Sequence, residues 1–391
     1  MRNKWLIALA ASGIHIAIGS VYSWSVLVLP IIELTGWSLP SVTFIFSLAI
    51  LFLGLSAGLL GGIIEKYGPT KAGLISTACF ITGLIGSALA ISVQSLWMLY
   101  LFYGVIGGIG LGVGYLCPIS TLVKYFPRHK GFATGLAIMS FGFASVIASP
   151  LMQFLVATYG LVSNFLILGF GYAFIMIVSS LYLAPPNNYT EETHVIDITP
   201  SRVYKTWQFK ALWIILFINI SCGIALLSIV SPMMQEIIGV TAEQAAGIVG
   251  IIGLINGMGR LLWSSFSDYI GRCNTYIIFF IMEIVLFFLL TATINQFIFV
   301  LTVLLIISCY GGGFSCMPSL ISDIYGNKYL ATIHGRVLTA WGCAGIFGPL
   351  LISFGKEFLG SYTMILYTFS FLFMLNLVIA VWLKRNKELL I

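Results

Sequence analysis

The chain has 391 residues, of which 60% are hydrophobic and only 8% charged, with a mean hydropathy of +1.07. A soluble domain carries about 25% charged residues and about 45–50% apolar ones, so lipid must be the solvent for most of this chain and a soluble enzyme is excluded. The net charge of +6 is scattered over short loops and gathers into no basic patch or stripe, which argues against a nucleic-acid partner.

The first apolar run, Trp5 to Leu29, is longer than the core of a cleaved signal peptide and reads as a spanning helix. Stretches near the length of about 20 residues that a bilayer requires follow near 42–64, 72–92, 97–123, 131–157 and 164–184. A polar interruption then runs from Pro185 to Trp207, with Pro185-Pro186-Asn187-Asn188 and the acids Glu191, Glu192 and Asp197. Its sequon, Asn188-Tyr189-Thr190, is read as chance. Six further spans lie near 208–234, 243–267, 275–293, 297–322, 334–355 and 361–383. The expectation is an all-α membrane protein of twelve transmembrane helices: a bundle over 1–184, a linker over 185–207 and a second bundle over 208–391.

Sixteen of the eighteen Lys and Arg residues fall on one side of this layout. They include Arg2 and Lys4, Lys66 and Lys71, Lys124 to Lys130, Arg202 to Lys210, Arg272, Lys328, Arg336 and Lys384 to Lys387. The positive-inside rule makes that side cytoplasmic, so both termini are expected there, with the chain in an inner membrane. Lys356 alone lies opposite, and Arg260 belongs to neither side.

The halves repeat. A shift of 200 residues places Gly112 on Gly312, Pro118 on Pro318, Gly135 on Gly335 and Gly142 on Gly342, and a shift of 203 places Glu65 on Asp268 and Gly68 on Gly271. Two six-helix halves with a ligand site between them near the midplane describe the major facilitator fold.

An ionisable residue deep in a span is costly and marks a functional site by default. Arg260 lies eight residues before Asp268, roughly 12 Å from that end of span 8. Its guanidinium stays charged and matches a carboxylate with two parallel donors. Asn256 stands one turn earlier, where an acid would otherwise pair with it. Glu283, in the middle of span 9, reads as a structural partner or a proton-coupling residue, and His15 in span 1 as a buried helix histidine or a coupling residue. Tyr22 and Trp24, Tyr115, Phe141, Tyr310, Phe314 and Trp341 lie on spans expected to line the cavity, where aromatic walls would exclude water around Arg260.

Gly104, Gly108 and Gly112 form one small face in span 4 suited to close helix approach. With no preceding strand, the run is no dinucleotide loop, and no Walker sequence, nucleophile elbow or HExxH occurs. The seven cysteines stand singly, without a disulfide or zinc spacing. No cofactor or metal is expected.

The stretch Asn256-Gly257-Met258-Gly259-Arg260, continuing through Trp263 to Ser267-Asp268-Tyr269-Ile270-Gly271-Arg272, resembles the oxalate:formate antiporter family of the major facilitator superfamily. So do Tyr22-Ser23-Trp24 with Pro30, Tyr125-Phe126-Pro127 with Lys130-Gly131, and Pro318 through Ser322-Asp323-Ile324-Tyr325-Gly326. The related monocarboxylate transporters share the arginine of span 8. The resemblance implies that Arg260 holds a substrate carboxylate, with Tyr22, Tyr115, Phe141, Tyr310 and Phe314 at pocket positions. Two departures matter: Trp341 stands where the oxalate carrier has a second cation, and Asn256 where monocarboxylate transporters have an acid. One cation suits one carboxylate.

The sequence therefore predicts an alternating-access carrier of a small monocarboxylate such as formate, lactate or pyruvate, acting as a monomer. Its rivals are a carrier of a larger amphiphile (a drug or siderophore) and a transporter-like carboxylate sensor signalling through 185–207.

Overall fold

The computed structural model describes residues 2–186, 199–359 and 361–386; the predicted sequon lies outside them, as does most of the predicted linker. Among these residues there is no strand, and eleven helical segments are long and apolar enough to cross a membrane. One of them, Lys130–Tyr182, runs for 53 residues, about 80 Å at 1.5 Å per residue and far more than one bilayer needs. Gly160, at φ 80° and ψ 170°, breaks it into two spans. The chain thus makes twelve passes.

In chain order the spans are α1 (Lys4–Thr35), α2 (Leu39–Leu60), α3 (Gly62–Ser92), α4 (Leu96–Tyr125), α5 (130–159) and α6 (161–182). After a short helical turn at Pro200–Val203 come α7 (Trp207–Ile238), α8 (Ala242–Ile270), α9 (Arg272–Ala292), α10 (Gln296–Tyr325), α11 (Leu330–Leu359) and α12 (Thr363–Asn386). Helices satisfy their own backbone, as lipid demands, and side chains cap their first turns. Asn3, Ser38, Thr206 and Asn295 each accept from a backbone N–H of the first turn, and Thr241 with Gln244 forms a reciprocal capping box.

Two spans are less regular than their hydropathy suggests. Helix α1 tightens to a 3₁₀ turn at Ser20–Ser23 and then continues through Pro30 to Thr35. Helix α4 loosens into a π-helix over Tyr100–Gly107. Its predicted small face is real: Gly104, Gly108 and Gly112 lie against Leu48, Ala49 with Phe52, and Leu53 with Ser56 of α2. Phe170, Phe174 and Phe297 are among the large apolar side chains left exposed outside the bundle, where lipid covers them.

The first six and last six helices meet through two equivalent pairs, α5 with α8 and α2 with α11. The repeat-matched glycines make these contacts close. A Cβ on Gly135 would stand 2.1 Å from Ser264 Oγ, and one on Gly335 would stand 2.0 Å from the Ala57 carbonyl oxygen. Gly335→Ala must push α2 and α11 apart, at a cost of about 1–3 kcal/mol. We expect a lower thermal midpoint for the purified variant; an unchanged midpoint would mean that the helices part freely here.

At the face carrying the basic loops the halves are locked together. Asp268, at the end of α8, accepts hydrogen bonds from Gly131 N and Phe132 N at 2.9 and 3.0 Å, in the first turn of α5. Glu65 accepts from Thr332 N at 2.9 Å and from the Thr332 hydroxyl, in the first turn of α11. Each acid thus sits at the positive end of a helix from the other half. Arg272 pairs with Asp268 and, at 3.4 Å, with Asp323, which also receives Lys130 at 3.3 Å. Arg336 Nε donates to the Gly58 carbonyl at 2.7 Å. Gly68, which breaks the helical segment α3 near its start, and Gly271, in the tight turn after α8, both take a positive φ, 82° and 87°.

Candidate functional site

With the basic face closed, a cavity of about 750 Å³ opens from the middle of the bundle toward the opposite face. Its walls come from the distal halves of α2, α5, α7 and α8, with Ser47, Ser145, Ser149 and Ser228 supplying hydroxyls. Tyr22, Asn256, Tyr310 and Trp341 lie at its inner end.

Arg260 lies just beneath, 1% exposed. It is ten residues from the Ile270 end of α8, about 15 Å at 1.5 Å per residue. The small residues of α5 make room for it: a Cβ on Gly142 would lie 3.4 Å from the guanidinium. Nη1 donates to the Ile138 carbonyl at 3.2 Å, and the guanidinium carbon stands 5.5 Å from the centre of the Phe314 ring. Nε and Nη2 make no hydrogen bond of ordinary geometry, the Tyr22 hydroxyl standing near the guanidinium. No carboxylate among the described residues pairs with the guanidinium. A buried cation left this way is expensive, and its two free donors have the geometry that one carboxylate would satisfy.

The aromatic residues divide into two layers. Tyr22, Tyr310 and Trp341 face the cavity, the Tyr22 hydroxyl being close enough to interact with the Arg260 charge. Tyr115, Phe141 and Phe314, each no more than 1% exposed, form the floor below. They pack edge-to-face around Trp341, with ring centres 5.4, 6.0 and 4.8 Å from it. In this arrangement, open at the face opposite the basic loops, these three are not cavity walls. They close the path to the basic face. Tyr115 Oη, Trp341 Nε1 and Asn256 Oδ1 are further polar atoms there without partners. Trp24 lies elsewhere, its ring on Tyr103 at 4.3 Å and its Nε1 donating to the Val42 carbonyl at 3.2 Å, so its role is packing.

The two predicted coupling residues separate. His15 belongs to the floor, stacked on Tyr115 at 5.3 Å and edge-on to Phe141 at 6.0 Å. Glu283, 1% exposed, sits inside the second six-helix set, near enough to Cys222 of α7 and Cys309 of α10 to interact with both, and its Oε2 has no partner. The sequence reading missed His334 of α11, buried at 1% with its ring 6.2 Å from Tyr115. It also missed Ser145 and Ser149, whose spacing of four on the α5 face above Phe141, on the cavity side, was the available signal.

This architecture has a sequence counterpart. The profile described as Major Facilitator Superfamily matches residues 9–349 and, separately, 212–389. The chain belongs to the Major Facilitator Superfamily. It is a multi-pass membrane transporter and not an enzyme. It is 28% identical over 351 residues to an uncharacterized MFS-type transporter, YhjX, of Escherichia coli (strain K12), covering 88% of this chain and 86% of that one. It is 27% identical over 353 residues to the oxalate:formate antiporter of Oxalobacter formigenes, covering 88% and 83%. Monocarboxylate transporter 12 of Homo sapiens is 25% identical over 247 residues, covering 55% of this chain and 47% of that one. Among solved structures, the transporter FucP in the outward conformation superposes with a TM-score of 0.77 at 14% identity, over 96% of this chain and 98% of that one. That last likeness concerns the fold alone.

Proposed function

We propose that this transporter carries a small monocarboxylate by alternating access, with Arg260 holding the carboxylate. The observation that carries the reading is the buried guanidinium with two unsatisfied donors directly beneath an outward-open cavity. The similarity to an oxalate:formate antiporter and to monocarboxylate transporters supports a small organic anion. The substrate descends past Ser145, Ser149 and Asn256, and its arrival at Arg260 displaces the aromatic floor of Tyr115, Phe141 and Phe314. Rocking of the two halves about the α2–α11 and α5–α8 contacts then exposes it to the other side. The protein acts as a monomer in an inner membrane, with its basic face and both termini cytoplasmic.

A single permanent cation sets the valence. Trp341 provides no second charge, so at neutral pH a dianion would leave one carboxylate uncompensated in a dry site. In competition against a labelled monocarboxylate at pH 7.5, formate, lactate and pyruvate should displace it, and oxalate should bind at least about tenfold more weakly. Tighter binding of oxalate than of all three would refute the monocarboxylate assignment.

A further inference from the structure

The two hydrogen-bond partners of His15 do not both suit a neutral imidazole, although burial and the Arg260 charge oppose a second proton while no anion is bound. Nδ1 lies 2.5 Å from the Ala137 carbonyl oxygen of α5, and Nε2 lies 3.0 Å from the Tyr115 carbonyl oxygen of α4. Both partners are carbonyls, which only accept. A neutral ring has one N–H, so whichever tautomer it takes, one nitrogen lone pair faces an oxygen lone pair at hydrogen-bond distance. Only the imidazolium, with two N–H groups, satisfies both contacts. The ring is fully buried, and the aromatic floor holds it in place.

The position matters as much as the partners. Ala137 and Ile138 are consecutive residues of α5; His15 contacts the carbonyl of the first and Arg260 donates to that of the second. Consecutive carbonyl oxygens of a helix lie roughly 3–4 Å apart. Adding the two hydrogen bonds places His15 Nδ1 and Arg260 Nη1 within roughly 10 Å of each other. One cationic group comes from α1 and the other from α8, so each half supplies one.

We propose that His15 is a proton-bearing second cation of the site, charged when the substrate anion is bound. This rests on the reading of Arg260 as the carboxylate anchor. A second positive charge so near Arg260 is held best when an anion lies with them, so anion and proton bind cooperatively. The groups facing His15 impose no competing negative charge. Helix α4 presents Tyr115, α5 presents the neutral Ala137 and Phe141, α8 presents Arg260, and Tyr22 lies two turns along α1 itself. His334 of α11 stands behind Tyr115. No carboxylate among the described residues pairs with either histidine. The consequence is a site whose anion capacity depends on pH. At neutral pH it suits one negative charge; in acid, with His15 charged, it holds a monoanion more tightly and tolerates a second carboxylate.

The test is equilibrium binding of radiolabelled lactate and of oxalate to the purified transporter between pH 5.5 and 8.0, where both retain their charge. At an effective dielectric constant of about 20, a charge about 10 Å away changes affinity about tenfold. Lactate affinity should therefore rise about tenfold from pH 8.0 to 5.5, and oxalate affinity by at least as much. His15→Gln, which keeps one donor but cannot titrate, should bind lactate in an Arg260-dependent manner with less than about a twofold change across the range. His15→Arg should bind tightly at every pH, and His334→Gln should retain the parent profile. A ¹⁵N imidazole spectrum of the parent protein, with only four histidines, should show one ring becoming doubly protonated on adding lactate, which needs no folded variant. A parental pH profile in His15→Gln, or loss of the profile in His334→Gln alone, overturns the assignment while leaving Arg260 in place. If no anion binds in an Arg260-dependent way at any pH, the carboxylate reading and this proposal fall together.

Discussion

Arg260→Ala is expected to weaken monocarboxylate binding at least about thirtyfold. The parent guanidinium is buried, holds the Ile138 carbonyl through Nη1 and keeps Nε and Nη2 free. Removing one partner of a desolvated, hydrogen-bonded charge pair costs about 2–5 kcal/mol, or about 30- to 4,000-fold in affinity. The variant should fold, because the loss relieves an unpaired cation and opens space beneath a cavity already present. Arg260→Lys separates charge from shape. It keeps a point charge but loses the planar fork that grips two oxygens, so binding should fall between parent and alanine variant. Equilibrium binding of labelled formate or lactate checks both, and equal affinity in all three proteins would remove Arg260 from the site.

The second large effect is expected at the basic face. Asp268→Ala removes both hydrogen bonds to the first turn of α5 and leaves the buried Arg272 with only the half-exposed Asp323 as an ionic partner. Losing one member of such a network costs about 2–4 kcal/mol. Only the two bonds to α5 depend on α5 and α8 meeting at this face, so their share of the loss, about 1.5–3 kcal/mol, falls on the state closed there; the Asp268–Arg272 pair lies within the second six helices and is lost in either state. The ratio of molecules open at the basic face to molecules closed there should rise about 10- to 150-fold. Spin labels at the exposed positions Arg128 and Tyr269 would report it as a longer distance population in the variant. A distribution identical to the parent's would show that other contacts hold the face closed. Glu65→Ala should act in the same direction through α11, because Glu65 caps that helix as Asp268 caps α5.

Much of the fold was legible because membrane helices announce themselves by length, and the basic loops fix which ends share a face. What was not legible is geometry that composition does not encode. The first apolar run reads as ending at Leu29, yet the helix continues through Pro30 to Thr35, since losing one backbone hydrogen bond does not end a helix packed against neighbours. The predicted spans leave 158–163 between them, but the connection needs only Gly160, whose positive φ redirects the chain between two helical stretches. The 200-residue repeat was visible as matched glycines. Why they matter appears only when Gly135 and Gly335 are seen against the backbones of α8 and α2.

At the site, Arg260 stood out as a permanent charge in apolar sequence, and Tyr22, Tyr310 and Trp341 as aromatics on inward-facing helices. Their depth was hidden. Whether a ring on a central helix lines a cavity or plugs it depends on which face is open, and Tyr115, Phe141 and Phe314 are plugs in this state. His334 was missed because span 11 was expected to begin there. Helix α11 starts at Leu330, which places His334 a full turn inside. The pairing of His15 with two carbonyls could not be foreseen, because it joins α1 to both α4 and α5.

The measurement that tests the central claim most directly is uptake of radiolabelled formate, lactate, pyruvate and oxalate into proteoliposomes, for the parent and Arg260→Ala, with and without a pH gradient. Saturable uptake of at least one monocarboxylate by the parent is expected, abolished in the variant and faster with an inward proton gradient. Uptake that survives Arg260→Ala with normal affinity, or no uptake of any of the four anions by folded parent protein, would contradict it.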